Sequence, residues 1–248
     1  MHWLAKGFLD LLFPPRCEVC RELGPDIICE PCAAGIELVK PPLCANCGEP
    51  FDPKARGGPL CLTCRTKKRP FHLARSAAYH EGPLRKAIHH FKYQRKRVLA
   101  GPLGAIMADW VSSNGEGFRE ADLVCPVPLY PRRQRERGFN QSELLARSLA
   151  AHLDRPLAPG LLARVRDTLP QIELPVSERA ANVRGAFAVS RPEEAAGKCL
   201  LVVDDVFTTG ATLSECARVL RRARAARVLI LTLTRPLPRW RLPRPRSL

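Results

Sequence analysis

Residues 200–212, LLVVDDVFTTGAT, decide the fold of the second part of this 248-residue chain. The continuous apolar run at the start of the segment predicts a strand that is covered on both faces, as in a parallel sheet. The run ends in two adjacent carboxylates, Asp204 and Asp205, and a threonine-rich turn then leads into a helix. Because ligands of such sheets bind at the carboxyl ends of the strands, we expect a ligand at this turn.

The composition of the turn is suited to a phosphate group on a sugar. Free N–H groups at a helix N-terminus bind phosphate, and a glycine at position 210 lets the backbone approach it closely. Asp204 and Asp205 would repel a bare phosphate, but carboxylates accept hydrogen bonds from sugar hydroxyls. The residues predicted to hold the phosphate are Thr208, Thr209, Gly210, Ala211 and Thr212.

Two other interpretations of this segment are weaker. An Asp pair after an apolar strand also occurs in P-loop proteins, but the GxxxxGK[ST] loop that they require is absent from the sequence. The Asp pair could also be a simple helix cap. The whole pattern of strand, carboxylates, hydroxyls and glycine favours the sugar-phosphate site.

Around this segment, strands alternate with helices, which predicts an α/β domain with a mainly parallel sheet. Apolar periodicity predicts strands over residues 72–79, 123–127, 200–204 and 227–233, and helices over 82–97, 98–111, 140–152 and 211–224. Residues 164–184 lack periodicity, and so long a loop is usually functional or mobile. Lys92 could reach a phosphate, although the neighbouring basic residues favour a solvated helix face.

Eight of the eleven cysteines form four CxxC pairs within the first 64 residues. A CxxC turn points two thiolates at one ion, so four pairs supply the ligands of two closed, structural zinc sites. Pairing in sequence order is the simpler arrangement, and an interleaved cross-brace is the alternative. The predicted ligands are Cys17, Cys20, Cys29 and Cys32 for one ion and Cys44, Cys47, Cys61 and Cys64 for the other. Cys125, Cys199 and Cys216 are expected to be small buried hydrophobic residues.

The composition favours a globular protein with polyanionic ligands. The chain is 46% hydrophobic and 26% charged, which excludes wholesale disorder, and its formal charge is +16. Its apolar stretches are too short to span a bilayer, and the first residues lack a cleavage site, so we expect a cytoplasmic protein whose N-terminal helix ends at Pro14. Arg65, Lys67, Lys68 and Arg69 follow the last CxxC pair and could contact nucleic-acid phosphates.

Residues 200–212 resemble the 5-phosphoribosyl-1-pyrophosphate (PRPP) motif of type I phosphoribosyltransferases. Three further segments resemble the ComF family: residues 79–94 (YHEGPLRKAIHHFKYQ), 126–146 (PVPLYPRRQRERGFNQSELLA) and 171–187 (QIELPVSERAANVRGAF). Members of that family join a cysteine-rich zinc segment to a phosphoribosyltransferase domain. The resemblance implies a type I phosphoribosyltransferase fold over residues 71–235, preceded by a double zinc ribbon over residues 1–70. The remaining residues, 236–248, are expected to be a disordered basic tail.

The resemblance also implies a reaction and its site. A nucleophile would displace pyrophosphate from the anomeric carbon of PRPP through an oxocarbenium-like transition state, with Mg²⁺ on the leaving group. Asp204 and Asp205 would hold the ribose hydroxyls, and residues 208–212 the 5-phosphate. Arg132 and Arg133 are the candidates for the pyrophosphate, and the 164–184 loop would be a lid. Its candidate contacts are Arg179, Asn182 and Arg184.

Three functions are compatible with these residues. The first is phosphoribosyl transfer to an acceptor that the sequence does not identify. The second comes from the resemblance, because ComF-family members are associated with natural transformation: an accessory protein that binds single-stranded DNA and keeps the PRPP fold. Stacking surfaces for bases need aromatics, however, and these are only 6% of the chain. The third is a regulator that senses PRPP or a nucleotide. The segment from Arg137 to Gln141 matches a signature of the family, but the sequence does not give its role.

Overall fold

The computed structural model describes residues 14–54 and 57–242, so the helix expected before Pro14 lies outside the described residues. Its helices in chain order are α1 (Glu30–Ala34), α2 (Leu62–Thr66), α3 (Gly82–Tyr93), α4 (Ala100–Asn114), α5 (Pro131–Arg137), α6 (Gln141–Leu153), α7 (Arg179–Val183), α8 (Pro192–Ala195) and α9 (Ala211–Arg222). Its strands are β1 (Leu73–Tyr79), β2 (Leu123–Pro126), β3 (Leu162–Arg164), β4 (Phe187–Val189), β5 (Cys199–Val206) and β6 (Arg227–Arg235).

The main sheet has the strand order β1-β6-β5-β2, and all of its neighbouring strands are parallel. Crossover helices join the strands, which is the α/β arrangement expected from the alternation of strands and helices. All four strands therefore end at the same edge of the sheet. Strand β5 lies in the interior of the sheet, so Asp204 and Asp205 are held between the ends of its neighbours.

Alternating side chains of β5 and β6 divide the core into two layers. Leu201 and Val203 of β5 face helices α3, α4 and α6, whereas Leu200 and Val202 face helix α9 and the small antiparallel sheet of β3 and β4. Both faces are covered, which explains why the strand sequence is continuously apolar.

The cysteine-rich segment packs on this sheet. Leu38 forms an antiparallel bridge with Ala78, and the amide of Val39 donates to the carbonyl of Ala77 at 2.9 Å. These bonds cover the free edge of β1, which would otherwise expose unpaired backbone groups. Cys17 and Cys32 belong to one layer of the core, and Cys44 and Cys47 to the other. A domain boundary at residue 70 remains a prediction.

The structure differs from the sequence expectations in three segments. Helix α3 ends at Tyr93 and α4 starts at Ala100, with a 3-10 turn between them. The 164–184 loop contains a 3-10 turn and helix α7. Residues 236–242, expected to be disordered, pack on the cysteine-rich segment, because the Trp240 indole donates to the Pro50 carbonyl at 3.2 Å and Arg241 pairs with Glu37. Among the described residues, no helix is long and apolar enough to cross a membrane.

Candidate functional site

The two carboxylates at the end of β5 have different surroundings. Asp205 lines a cavity of about 440 Å³, which we call the site cavity. Asp204 is not among the residues that line this cavity, and its Oδ1 accepts a hydrogen bond from the Ser142 hydroxyl at 2.7 Å and one from the Asp205 amide at 2.9 Å. Burial raises the pKa of Asp204, although Ser142 and nearby cations act against this shift. Asp205 therefore belongs to the lining of the site cavity, and Asp204 bonds to the Asp205 amide and to α6.

Residues 208–212, which we call the phosphate loop, lie beside the site cavity and include the first two residues of α9. Thr208, Gly210, Ala211 and Thr212 line the cavity, as the motif predicts. Thr209 does not line it, and its hydroxyl oxygen instead accepts from the Ala211 amide at 3.4 Å. Gly210 has a φ of +73°, in the left-handed region that favours glycine.

The ring of Phe207 fixes how the phosphate loop is folded. A Cβ added at Gly210 would lie only 2.6 Å from Cζ of Phe207, so the loop crosses over the ring without room for a side chain. Phe207 in turn meets Phe71 edge to face, with ring centroids 6.4 Å apart. The glycine is therefore required both by the backbone conformation and by this close approach.

The segment from Arg137 to Gln141 holds β2, α6 and Asp204 together. The Asn140 side chain accepts from the Ser142 amide at 3.1 Å and so caps α6, while its Nδ2 donates to the Val127 carbonyl at 3.0 Å. The cap places the Ser142 hydroxyl against Asp204. The sequence analysis left the role of this segment open. The structure assigns the cap to Asn140 and gives Ser142 a contact with the site.

A second cavity of about 750 Å³, which we call the arginine cavity, adjoins the site cavity. Arg132 and Arg133 both line it, and Arg133 lines the site cavity as well. Both are paired with Asp167, Arg132 at 2.7 Å and Arg133 at 3.7 Å. An anion in the arginine cavity would therefore compete with Asp167 for these guanidinium groups.

The loop over the cavities brings only some of the predicted lid residues to the site. Arg179 lines the site cavity, and Gln171 donates to the Thr212 hydroxyl of the phosphate loop. Neither Asn182 nor Arg184 is among the residues that line the two cavities. The side-chain amide of Asn182 instead donates to the Leu169 carbonyl at 2.9 Å within the loop itself. In this structure Asn182 supports the loop.

Lys92 is the site residue that sequence reasoning placed wrongly. Its ammonium group forms an ion pair with Asp205, and its side chain is only 18% exposed. It lines both the site cavity and the arginine cavity. Burial lowers the pKa of Lys92 to about 8, with Asp204 opposing and Arg137 adding to the shift. Lys92 therefore lies in the site and not on a solvated helix face.

The cysteines of the N-terminal segment form two groups in sequence order. In the first group (Cys17, Cys20, Cys29 and Cys32) and in the second group (Cys44, Cys47, Cys61 and Cys64), the Sγ atoms lie within 4.8 Å of one another. This is the sequential arrangement and not the cross-brace. Four thiols this close can surround one tetrahedral ion.

Hydrogen bonds from backbone amides lower the pKa of one cysteine in each group. Burial acts to raise the pKa of Cys17, but amides including those of Cys29 and Val19 outweigh it and lower that pKa to about 6. Burial is likewise outweighed at Cys44, whose pKa is lowered to about 7, chiefly by the Cys61 amide. Thiolates are the form of cysteine that binds a metal, so these thiols suit zinc.

The second cysteine group is connected to the phosphate loop by two arginines. Arg235, only 3% exposed, donates to the Cys47 carbonyl at 3.3 Å and pairs with Glu49. Its guanidinium carbon lies 5.5 Å from the centroid of the Phe207 ring. Arg69 donates to the Thr209 carbonyl at 3.4 Å. Arg69 therefore contacts the phosphate loop, and Arg235 joins the second cysteine group to the Phe207 ring that packs under the loop.

The three cysteines outside the two groups, Cys125, Cys199 and Cys216, are buried, as expected. His90 Nδ1 lies 2.6 Å from the Glu18 carbonyl, and neither His89 nor His90 belongs to a metal-ligand group among the described residues.

Comparisons with known proteins agree with this arrangement. The double zinc ribbon domain matches residues 8–65, and the phosphoribosyl transferase domain matches residues 140–244. DNA utilization protein YhgH of Salmonella typhimurium is 33% identical over 232 residues, which cover 92% of this chain and 100% of the relative. Competence protein F of Haemophilus influenzae is 31% identical over 229 residues, which cover 89% and 96%. A solved structure of the allosteric regulatory enzyme of purine biosynthesis is 21% identical with a TM-score of 0.38, and the match covers 54% of this chain and 26% of that one. The matched domain and the two four-cysteine groups together support zinc in the N-terminal segment.

Proposed function

Because this chain belongs to the ComF family, in which a double zinc ribbon precedes a phosphoribosyltransferase domain, we propose that it binds PRPP and transfers the phosphoribosyl group to an acceptor. The observation that carries the proposal is the single cavity that joins Asp205 to the phosphate loop. A carboxylate and a phosphate-binding loop that line one cavity are what a phosphoribosyl ligand requires.

Each part of the ligand has a counterpart in the chain. The 5-phosphate would take the N–H groups and hydroxyls of the phosphate loop, and the ribose hydroxyls would donate to Asp205. The pyrophosphate would enter the arginine cavity, where Arg133 donates to it. Asp204, next to Asp205, would stabilise positive charge on the ribose ring. The 164–184 loop, through Gln171 and Arg179, excludes water that would hydrolyse PRPP.

Magnesium is the cofactor that we propose for this ligand. Two adjacent carboxylates beside a polyphosphate pocket offer the hard oxygen atoms that suit a Mg²⁺-bound pyrophosphate. When bound, Mg²⁺ would neutralise the charge that develops on the leaving group. The chain itself binds and orients the ribose phosphate and keeps water away from the anomeric carbon.

Calorimetry with PRPP and Mg²⁺ on zinc-loaded protein tests this proposal. We expect binding by the wild type and at least a tenfold loss for Asp205→Asn, because a charge-assisted hydrogen bond contributes about 1.5–3 kcal/mol. Asp109→Asn, an exposed position on α4, is the matched control and should bind like the wild type. A wild type that does not bind PRPP would overturn the proposal.

A basic groove favours a second function, contact with single-stranded DNA during its uptake. The groove, about 830 Å³ in volume, lies between the second cysteine group and α9, and no carboxylate is among the described residues that line it. Five cationic side chains line it: Lys68, Arg69, Arg218, Arg221 and Arg222. Among the described residues that line the groove, Phe71 is the one Phe, Tyr or Trp, and it is buried, so binding would rest on phosphates and depend on salt more than on base sequence.

Fluorescence anisotropy with a labelled oligonucleotide, measured over a series of salt concentrations, tests this second function. We expect Arg221→Glu to weaken binding and to reduce the salt dependence by about one counterion. Arg147→Glu, on the exposed face of α6 away from the groove, is the control. Equal losses for both variants would show only a nonspecific attraction to the net charge of the protein.

A further inference from the structure

The pairing of Lys92 with Asp205 is the feature of the site that the proposed reaction does not use. The two side chains are 18% and 6% exposed, so the pair is largely removed from water. A buried ion pair contributes little to stability, because the loss of hydration offsets the attraction between the charges. The pair is therefore poorly explained as a device that only holds α3 against β5.

The pair and the proposed ligand require the same atoms. Lys92 contacts Oδ2 of Asp205, and the ribose hydroxyls need the oxygens of that carboxylate as acceptors. When ribose binds, the ammonium group has to find another anion, since a buried cation without a partner is strongly unfavourable. Lys92 lines the arginine cavity as well, beside Arg133 and Arg137. The pyrophosphate would enter that cavity.

We propose that Lys92 exchanges partners when PRPP binds, leaving Asp205 to the ribose hydroxyls and donating its own hydrogen bonds to the pyrophosphate. The inference rests on the phosphoribosyl site proposed above. In the transfer step the bond between the anomeric carbon and the pyrophosphate oxygen breaks, and its electron pair leaves with the pyrophosphate. The acceptor forms the new bond to that carbon. Lys92 stays protonated throughout and stabilises the leaving oxygen.

The exchange gives the Lys92 ammonium group an anionic partner in both states. In the free protein Lys92 neutralises one of two adjacent carboxylates, and in the complex it joins Arg133 on a polyanion. A ligand that lacks the pyrophosphate would displace Lys92 without giving it a new partner. Loss of the Lys92 charge should therefore change the affinity for ribose 5-phosphate and the affinity for PRPP differently.

The test is calorimetry of Lys92→Met with PRPP and with ribose 5-phosphate, each with Mg²⁺. We expect affinity for PRPP to fall about tenfold to a hundredfold, the range of one hydrogen bond to a charged group. Affinity for ribose 5-phosphate should stay the same or rise, because no ion pair has to be broken. Lys86→Met, on the exposed face of α3, is the control and should leave both affinities unchanged.

Two further variants protect the test against a folding defect. Lys92→Gln replaces the charged side chain by a neutral polar one and should reproduce the selective loss of affinity for PRPP. Lys92→Arg keeps the charge and should keep the wild-type ratio of the two affinities. If Lys92→Gln lost affinity for both ligands equally, or lost no affinity for PRPP, the exchange of partners would be overturned. Either result would leave the proposed phosphoribosyl site in place. A wild type that binds neither ligand would overturn both proposals.

Discussion

Replacement of Gly210 by alanine is the sharpest perturbation of the phosphate loop. The backbone there has a φ of +73°, and left-handed backbone costs an L-residue about 1–2 kcal/mol. The new Cβ would also lie 2.6 Å from Cζ of Phe207, and forcing a methyl group into a packed core costs about 1–3 kcal/mol. The ring is 3% exposed and packed against Phe71, so the loop has to move instead.

Gly197→Ala separates the two contributions. Gly197 has a φ of +72°, and a Cβ there would meet nothing within 4 Å. We expect Gly197→Ala to lower the free energy of unfolding by about 1–2 kcal/mol and Gly210→Ala to lower it by the additional contact energy, measured in urea. Of these two variants, only Gly210→Ala should lose PRPP affinity, by about tenfold or more, because the amides of its phosphate loop no longer point at the phosphate.

The comparison also defines what would refute this reasoning. If Gly210→Ala were no less stable than Gly197→Ala, the Phe207 ring would yield freely and the loop would not be fixed by it. If Gly210→Ala were less stable but bound PRPP like the wild type, the 5-phosphate would not lie on this loop. The second result would count against the site and not only against the packing.

Three further predictions concern charges and zinc. The pKa of Lys92 is about 8 in the free protein, and pyrophosphate would raise it; affinity for PRPP should therefore be full below pH 8 and fall above it, by up to about tenfold per pH unit, in calorimetry. Glu49→Gln should lower the free energy of unfolding by about 1–3 kcal/mol, because it leaves the buried Arg235 guanidinium without its carboxylate. Cys64→Ala should weaken PRPP binding more than Cys20→Ala, since Arg69 and Arg235 connect the second cysteine group to the phosphate loop and to Phe207.

Each of these predictions has its own control. Lys92→Arg should remove the pH dependence above pH 8, and a fall that persists in this variant would have another origin. Glu37→Gln breaks an exposed pair with Arg241 and should cost less than about 1 kcal/mol in the same urea titration. For the cysteine variants, zinc content is measured beside affinity, and equal effects of the two variants on PRPP binding would contradict the connection.

The parts of the fold that follow from local pattern were predictable. The apolar run before Asp204 predicts a buried strand, and β5 extends from Cys199 to Val206. The turn chemistry predicts the phosphate loop and the start of α9 at Ala211. Four CxxC turns predict two metal sites, but the choice between sequential and interleaved pairing depends on the path of the chain between the turns. Only the structure brings the thiols together in sequence order.

The residues that sequence reasoning misplaced act over long range. Lys92 follows Ile88 by four positions, so it borders the apolar stripe of α3, and this was the available signal that it turns inward. A cluster of neighbouring cations made a solvated face the simpler interpretation. Ser142 reaches Asp204 only because the Asn140 cap fixes the first turn of α6. No spacing in the sequence relates positions that are 62 residues apart.

The contacts of Arg235 argue against treating the two matched domains as independent units. The guanidinium group is buried at the end of β6, but its partners, the Cys47 carbonyl and the Glu49 carboxylate, belong to the cysteine-rich segment. A fragment that begins at residue 71 would lose both of these partners and would uncover the guanidinium group. The same guanidinium packs on Phe207, whose ring supports the phosphate loop. The cysteine-rich segment thus supplies contacts that support the phosphate loop and the ring beneath it.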